Sequence, residues 1–107
     1  MESDRNNARV DKGTWTFLTN QAHVLICIAQ NPVSLARDLA EQVGITERAV
    51  RRIIAELNEG GYLTLDREGR RNRYTVHAEM PMRHQVEGHC LVSDLLDTVL
   101  RPGTRGY

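Results

Sequence analysis

The sequence has few of the features that mark secreted and membrane-spanning proteins. Its two cysteines, Cys27 and Cys90, are far apart and form no CxxC pair, so no disulfide framework is indicated. No apolar run approaches the roughly 18 residues that a membrane span needs. The polar start MESDRNNARVDKG is unlike a signal peptide. We therefore expect one cytoplasmic domain without a membrane segment.

The motifs of common enzyme chemistry are also missing. The sequence has no glycine-rich phosphate loop, no HExxH motif and no nucleophile elbow. Its carboxylates are interleaved with arginines in stretches that we interpret as exposed. We predict that the chain is not an enzyme, has no catalytic residues, and requires no cofactor and no metal.

Positive and negative charges balance, because 14 basic and 14 acidic residues give a formal net charge of zero. A nonspecific nucleic-acid coat would be strongly basic, so this class is disfavoured. Thirteen of the 14 basic residues are arginines, however, and seven of them lie between Arg48 and Arg73. Arginine suits bidentate recognition of phosphate and guanine better than lysine does. The clustering is therefore more informative than the net charge.

A first helix is predicted ahead of Asn31-Pro32. Thr19 or Asn20 can cap its N-terminus. Its buried stripe consists of Val24, Leu25, Ile28 and Ala29. Trp15 and Phe17, two of only five aromatic residues, precede the cap and are expected to pack onto the core. Residues 1–13 carry charges and have little to bury, so we predict a flexible arm there.

The stretch VGITERAVRRII, residues 43–54, has a glycine between two apolar-periodic segments, which predicts a turn between two helices. In this pair, Ser34 is the predicted cap of the first helix, which is the second helix of the chain, and Gly44 ends it. Its apolar face comprises Leu35, Leu39, Ala40 and Val43. Thr46 is the predicted cap of the second helix, and Gly60-Gly61 ends it. Its apolar residues fall within about 100° of one another; they are Val50, Ile53, Ile54 and Leu57.

This pair of helices has what a helix-turn-helix needs: a small residue at the crossing, a turn residue tolerant of left-handed geometry, and apolar residues inside the second helix. These are Ala40, Gly44, Val50 and Ile53. The crossing would present the N-terminal half of the second helix to a major groove about 12 Å wide. The residues of that half are Thr46, Glu47, Arg48, Arg51 and Arg52. An ordinary amphipathic helix pair with solvated arginines has the same spacing, so the motif alone leaves both interpretations open.

A β-hairpin is predicted next, because residues 62–66 and 73–77 alternate apolar and polar with period two. Residues 67–72 would join the strands around Gly69. The tip sequence DREGRRNR contains four arginines, Arg67, Arg70, Arg71 and Arg73. A wing that reaches the DNA backbone or minor groove would need such charges, although charged tips are also common on solvated edges. The hairpin and the helix pair together favour DNA binding.

The sequence VEGHCLVSDLLDTVL, residues 86–100, predicts a final helix that follows a linker broken by Pro81 and is closed by Pro102-Gly103. Seven large apolar residues span more than one face of this helix; they are Val86, Leu91, Val92, Leu95, Leu96, Val99 and Leu100. One face can cover the core, and the remainder predicts a homodimer interface. The alternative is that a small domain wraps the whole helix into its own core.

The order helix, helix-turn-helix, hairpin, helix is that of a winged helix. The predicted fold class is mainly α with a small β-hairpin, namely a winged helix-turn-helix over residues 14–77, a linker over 78–85 and a dimerisation helix over 86–101. The block LARDLAEQVGITERAVRRIIAELNEGGYLTLDREGRRNRYTVH, residues 35–77, resembles the winged helix-turn-helix transcriptional regulators of bacteria and archaea, of the MarR and ArsR types. The stretch WTFLTNQAHVLICIA, residues 15–29, is similar to the start of small regulators in this group.

The resemblance implies a DNA-binding regulator whose terminal helices form a homodimer, and it favours repression. The residues that would read the major groove are Thr46, Glu47, Arg48, Arg51 and Arg52. The wing contacts would be Arg67, Arg70 and Arg71. Ser34 and Arg37, at the start of the first helix of the helix-turn-helix pair, would contact the DNA backbone.

Other functions stay open. A winged helix can be a protein-interaction module, although such modules typically lose the arginines of the recognition helix. Metal or redox sensing would use His84, His89 and Cys90, or His23 and Cys27. His84 and His89 are five residues apart and do not share a helical face, and a cysteine among apolar residues is usually a small buried hydrophobe. A small-molecule effector also stays open, although we expect little room for a pocket of about 300 Å³ away from the dimer interface.

Overall fold

The computed structural model describes residues 15–101 as four helices and one hairpin. The helices are α1 (Asn20–Gln30), α2 (Ala36–Val43), α3 (Glu47–Glu59) and α4 (Val92–Leu100), and the strands are β1 (Leu63–Glu68) and β2 (Arg71–Val76). The predicted fold class, mainly α with a small hairpin in the order of a winged helix, is confirmed. The arm predicted for residues 1–13 and the Pro102-Gly103 stop lie outside the described residues.

The core lies where α1, α2 and α3 meet and is closed by the base of the hairpin and the start of α4. Its fully buried members include one residue or more from each of these elements: Val24, Ile28, Leu39, Val50, Ile53, Leu63 and Val92. Burial of each such side chain stabilises the fold by roughly 1.5–3 kcal/mol. No polar or charged residue among 15–101 is buried, so the core is held by apolar packing.

Two of the three predicted helix caps are confirmed. The hydroxyl of Thr19 accepts a hydrogen bond from the backbone N–H of Ala22 at 3.2 Å. The hydroxyl of Thr46 accepts one from Ala49 at 3.0 Å. Each bond satisfies a backbone donor that the first helical turn leaves open.

The cap predicted at Ser34 is wrong. Its hydroxyl donates to the carbonyl of Asn31 at 2.8 Å instead, inside the loop between α1 and α2. Leu35 occupies the cap position of α2 without a side-chain hydrogen bond. The loop therefore uses the one polar side chain that could have capped the helix.

The hairpin is confirmed, but its loop is shorter than predicted. The strands pair antiparallel from Leu63 opposite Val76 out to Glu68 opposite Arg71. Only Gly69 and Arg70 connect them. Gly69 has a φ of +66°, which allows the tight two-residue turns typical of hairpins. Residues 67, 68, 71 and 72, predicted as loop, are therefore strand.

The final helix begins at Val92, six residues later than predicted. The backbone N–H of Met82 donates to Cys90 at 2.9 Å, and that of Val92 donates to Met80 at 2.9 Å. This short antiparallel pairing uses backbone groups that a longer helix would need, so the helix cannot start earlier. The carboxylate of Asp94 accepts the N–H of Leu91 at 2.8 Å and caps the start.

Trp15 and Phe17 do not pack onto the core, so that prediction is wrong. Trp15 is 72% exposed and Phe17 is 91% exposed. Their rings contact each other edge to face, with centroids 4.9 Å apart. Neither ring belongs to the buried core cluster or to the partly buried residues packed against it.

Candidate nucleic-acid interface

The turn between α2 and α3 sets the geometry of the helix pair. Gly44 ends α2 in the left-handed region, with a φ of +86°. The N–H groups of Gly44 and Ile45 both donate to the carbonyl of Ala40, at 2.8 and 3.1 Å. This closes the helix end, and the small side chain of Ala40 is buried beside it. Two residues after Gly44, Thr46 caps α3, so the chain reverses within a few residues.

The outer face of α3 carries exposed charged side chains. Thr46, Glu47, Arg48, Arg51 and Arg52 are all exposed, while Val50, Ile53, Ile54 and Leu57 are buried. The structure therefore brings the five residues expected to read the major groove onto one solvent-facing surface. We call this surface the α3 outer face.

Two of its arginines are held by carboxylates of the same helix. Nη1 of Arg51 lies 3.3 Å from Oε1 of Glu47, and Nη1 of Arg52 lies 3.6 Å from Oε2 of Glu56. All four side chains are about half exposed or more, and exposed pairs at this spacing contribute only about 0.3–0.5 kcal/mol. Such pairs can exchange for phosphate or base contacts at little cost. Arg48 has no hydrogen bond or ion pair to any residue among 15–101.

The strand register sorts the wing arginines into two groups. Arg71 and Arg73 lie directly opposite Glu68 and Asp66, and Nε of Arg73 lies 2.6 Å from Oε1 of Glu68. Side chains alternate between the two faces of a hairpin, so this face is compensated by carboxylates. Arg67 lies on the other face, opposite Asn72.

All four wing arginines are exposed, and Arg67 and Arg70 are the two without a partner among residues 15–101. Neither has a hydrogen bond or ion pair within the described part of the chain, and Arg70 lies in the turn itself. Asn72 is neutral, so Arg67 keeps an uncompensated positive charge. The sequence pattern does not distinguish the four wing arginines from one another. The strand register does, because it places only Arg71 and Arg73 opposite carboxylates.

The base of the wing is tied to the loop between α1 and α2. The backbone N–H of Tyr74 donates to the carbonyl of Pro32 at 2.8 Å. Nη1 of Arg71 donates to the carbonyl of Val33 at 3.0 Å. Arg71, predicted to contact DNA from the wing, therefore directs part of its guanidinium at this loop. Its other N–H groups make no hydrogen bond or ion pair to residues 15–101.

Sequence reasoning missed four positioning contacts. Besides the carbonyls of Pro32 and Val33, the amide of Asn58 donates to the carbonyl of Leu63 at 2.9 Å and joins the end of α3 to the wing. The amide of Gln21 donates to Oε1 of Glu56 at 3.0 Å and joins α1 to α3. Asn58, near the end of α3, is a local signal, because its partner Leu63 is five residues away. The bonds from Gln21 and Arg71 join residues 35 and 38 positions apart, so no local pattern indicates them.

The two backbone contacts implied by resemblance lie near α2. Arg37 is exposed in the first turn of α2. Ser34 is half-buried, and its hydroxyl is engaged with Asn31. Arg37 is thus placed where its guanidinium is accessible, whereas the Ser34 side chain is directed into the loop.

The residues predicted for a dimer interface are distributed unevenly. Val92 is 2% exposed and belongs to the core of the domain, so its assignment to an interface is corrected. Val86, 73% exposed, precedes α4 rather than lying on it. Leu91 and Val99 are 39% and 44% exposed. The remaining three are half-buried: Leu95, Leu96 and Leu100.

The histidines and cysteines considered for sensing lie in two parts of the fold, with His23 and Cys27 on α1 and the others before α4. His84 and His89 lie in the turns before α4, and Nδ1 of His84 accepts the N–H of Val86 at 3.1 Å. Within residues 15–101, no three His, Cys, Asp or Glu side chains are grouped so that they could hold a metal ion. Cys27 packs against the core, and its burial raises the pKa of the thiol.

An open cavity of about 450 Å³ lies between the start of α1, the end of α3 and the segment before α4. Its apolar lining includes Leu25, Leu57, Tyr62 and Met82, and its charged lining comprises Glu56, Arg83 and Glu87. The expectation that the domain has little room for a pocket of about 300 Å³ away from the dimer interface stays a prediction. Leu95, one of the residues predicted for the interface, also lines this cavity.

None of the helices in the described part of the chain is both long and apolar enough to cross a membrane. No curated protein matches the sequence closely enough to count as a relative. Residues 19–64 match the family model of the winged helix-turn-helix DNA-binding domain. The match begins at the cap of α1 and ends inside β1, and the structure adds the second strand of the wing. The described fold is therefore that of a winged helix, and its residues 19–64 are similar to a winged helix-turn-helix DNA-binding domain.

Proposed function

We propose that this protein is a sequence-specific transcriptional regulator that binds double-stranded DNA as a homodimer and represses promoters by occluding them. The α3 outer face is the observation that carries the proposal, because three arginines there are exposed around the N-terminal half of the helix. The protein would act by binding rather than by catalysis, in the cytoplasm, where bacterial and archaeal DNA lies.

Base recognition is assigned to the arginines of α3. An arginine that contacts O6 and N7 of guanine in the major groove discriminates by roughly 1–3 kcal/mol. Arg48 is available without losing a partner, and Arg51 and Arg52 would give up only weak pairs. Glu47 would accept a hydrogen bond from cytosine or orient Arg51, which it already contacts.

Backbone contacts are assigned to the wing and to the start of α2. Arg67 and Arg70 would contact phosphates or the minor groove beside the recognition site. Arg37, and Ser34 to the extent that its hydroxyl can turn outward, would contact phosphates near α2. With zero net charge, affinity would depend on this local patch and fall steeply with salt, because phosphate neutralisation releases counterions.

The homodimer is assigned to the apolar residues around α4 that a single protomer leaves exposed or half-buried. They are Leu91, Leu95, Leu96, Val99 and Leu100, together with Val86 in the preceding segment. A two-fold dimer would place two α3 helices in successive major grooves, about 10 base pairs apart. The operator would then be a pseudo-palindrome. The likeness to MarR-type and ArsR-type regulators supports this arrangement.

Selection of genomic DNA fragments by the purified protein, followed by sequencing, tests the proposal. Enrichment of one inverted repeat is expected, with loss of enrichment in the double variant Arg52→Ala with Arg70→Ala. The matched control is Arg83→Ala, an exposed arginine outside α3 and the wing. A folded protein that enriches no sequence would instead favour a protein-interaction module, and a pull-down would then be the next experiment.

A small-molecule effector is a second candidate function, favoured by the cavity of about 450 Å³. Pockets for drug-sized ligands span roughly 300–1,000 Å³ and combine an apolar lining with a few polar groups. A compound screen for an increase in Tm, repeated on a Met82→Trp variant that fills the cavity, tests it. Effects that persist in the filled variant would place the ligand elsewhere.

A further inference from the structure

The carboxylate of Glu56 has two partners, one on α1 and one on its own helix. Its Oε1 accepts a hydrogen bond from Nε2 of Gln21 at 3.0 Å, and its Oε2 lies 3.6 Å from Nη1 of Arg52. Gln21 is half-buried in the first turn of α1, 35 positions before Glu56. Because the two oxygens belong to one planar group, holding Oε1 restricts where Oε2 can lie. Gln21 therefore sets the direction in which Glu56 presents its second oxygen to Arg52.

The three arginines of the α3 outer face differ in how firmly they are held. Arg48 has no hydrogen bond or ion pair to residues 15–101. Arg51 pairs with Glu47, whose carboxylate has no other partner among those residues. Of the three, only Arg52 pairs with a carboxylate that another helix of the described chain holds. An exposed pair normally contributes little, because both side chains lose freedom when they meet. For Arg52, the partner has already lost part of that freedom.

The spacing within α3 would rank the two ion pairs the other way. An acidic residue four positions before a basic one makes the more favourable pair in a helix, and this is the order of Glu47 and Arg51. Glu56 follows Arg52 instead. Arg48, four positions before Arg52, adds a repulsion that directs Arg52 toward Glu56. The firmer hold on Arg52 therefore comes from the tertiary contact with α1.

The ion pair leaves free the edge of the Arg52 guanidinium that a guanine contact needs. Glu56 engages Nη1 only. Nε and Nη2 present two N–H groups on one side of the planar fork, and neither has a partner among residues 15–101. A bidentate contact with O6 and N7 of guanine uses two such donors. Arg52 can therefore read a guanine without giving up its pair with Glu56.

We propose that Glu56, held by Gln21, is a positioning residue that orients Arg52 so that its free edge reads one guanine in each half-site. Gln21 and Glu56 act through Arg52 and do not touch the base. The inference rests on the proposed function and names the arginine that is oriented before DNA binds. Donors that are already oriented lose less side-chain freedom on binding, so they discriminate better between bases.

Side-chain order in the free protein tests the orientation without DNA. NMR relaxation of the arginine Nε–H groups should give a higher order parameter for Arg52 than for Arg48. Gln21→Ala should lower the value for Arg52 to that of Arg48 and leave Arg51 unchanged, because the lost contact is to the partner of Arg52. Glu47→Gln should do the reverse, lowering the value for Arg51 and leaving Arg52 unchanged.

Gln30→Ala is the matched control. Gln30 is at the other end of α1, is exposed and makes no side-chain hydrogen bond to residues 15–101. Its replacement should leave the order of all three arginines unchanged. Alanine has the highest helix propensity, so neither glutamine variant should unfold α1, and urea unfolding checks this.

The preference for one base tests the consequence for DNA. Fragment selection with Arg52→Ala identifies the half-site position that depends on this arginine. The measure is the ratio of affinities for operators with and without the preferred base there, because Glu56→Gln also removes a negative charge and changes overall affinity. Gln21→Ala and Glu56→Gln should each lower this ratio by about two- to fivefold, the effect of one exposed charged contact. Gln30→Ala should not change it.

A double variant separates positioning from a general structural effect. In the Arg52→Ala background, Gln21→Ala should cause no further loss of base preference, because it acts through the side chain that is already missing. An equal loss in both backgrounds would overturn the inference.

The inference is also overturned if Arg52 is as mobile as Arg48 in the free protein, if Gln21→Ala leaves its order unchanged, or if Arg52→Ala weakens binding equally for all sequences. DNA enrichment with a mobile Arg52 would refute this inference alone. An order of Arg52 that depends on Gln21, in a protein that enriches no DNA, would refute the proposed function and support the orientation.

Discussion

Arg71 on the wing donates a hydrogen bond from Nη1 to the backbone carbonyl of Val33, 3.0 Å away. The two residues are 38 positions apart in the chain. The adjacent contact from Tyr74 to Pro32 is a backbone hydrogen bond of 2.8 Å. Together they fix the wing to the loop that precedes α2. Arg70, one residue earlier, has no hydrogen bond or ion pair to residues 15–101. The two arginines therefore have different expected roles.

Replacement of Arg70 and Arg71 by alanine should separate these roles. Arg70→Ala should remove a phosphate contact and reduce the slope of log affinity against log salt by about one. Arg71→Ala should lower the free energy of unfolding by about 0.5–1.5 kcal/mol, through loss of its hydrogen bond, with little change in that slope. Anisotropy titrations with operator DNA at several salt concentrations and urea unfolding would measure both. Equal slope changes would show that Arg71 contacts phosphate directly.

Arg48 is expected to read a base. Arg48→Ala should weaken operator binding by roughly 1–3 kcal/mol and relax the preference at one position in each half-site. Arg48→Lys keeps the charge but loses bidentate geometry, so it should lose the preference while keeping the salt dependence. Repeating the fragment selection with each variant measures this. Were Arg48→Lys to keep the parent's preference, Arg48 would be a backbone contact.

Gly44→Ala should destabilise the fold through backbone strain alone. The φ of Gly44 is +86°, and nothing lies within 4 Å of an added Cβ. A left-handed conformation costs an alanine roughly 1–2 kcal/mol, and an asparagine less. Gly88→Ala is the control, because Gly88 has no such φ and its added Cβ would meet His84 O at an ordinary 3.5 Å. Urea unfolding should rank Gly44→Ala below Gly44→Asn, and both below Gly88→Ala. A similar loss in both alanine variants would argue against strain.

Burial raises the pKa of the Cys27 thiol. The unfolded chain therefore releases this proton at lower pH than the folded chain does, and the free energy of unfolding should fall as pH rises between the two values. The loss belongs to the alkaline range and should be absent in Cys27→Ala, measured by urea unfolding at increasing pH. In a Cys90→Ser background, alkylation of Cys27 should be slower than that of a short cysteine peptide. Equal rates would show that the thiol is accessible and unshifted.

The helix-turn-helix could be predicted from local features of the sequence. The apolar spacing of α3, its Thr46 cap and the glycine at 44 are local signals, since a helix depends on contacts within about four residues and on its end groups. Once Val50 and Ile53 are assigned to the core, the opposite face must carry Arg48 and Arg52. The candidate recognition surface therefore follows from periodicity alone.

Tertiary structure decided what depends on distant backbone groups. The start of α4 was set by pairing between Met82 and Cys90, and the role of Arg71 by the carbonyl of Val33. Every residue offers the same carbonyl and N–H, so a sequence pattern does not indicate which of them will meet. The sorting of the wing arginines likewise required the strand register. Local periodicity thus determined the elements, and long-range packing decided which of their side chains stay available to a partner.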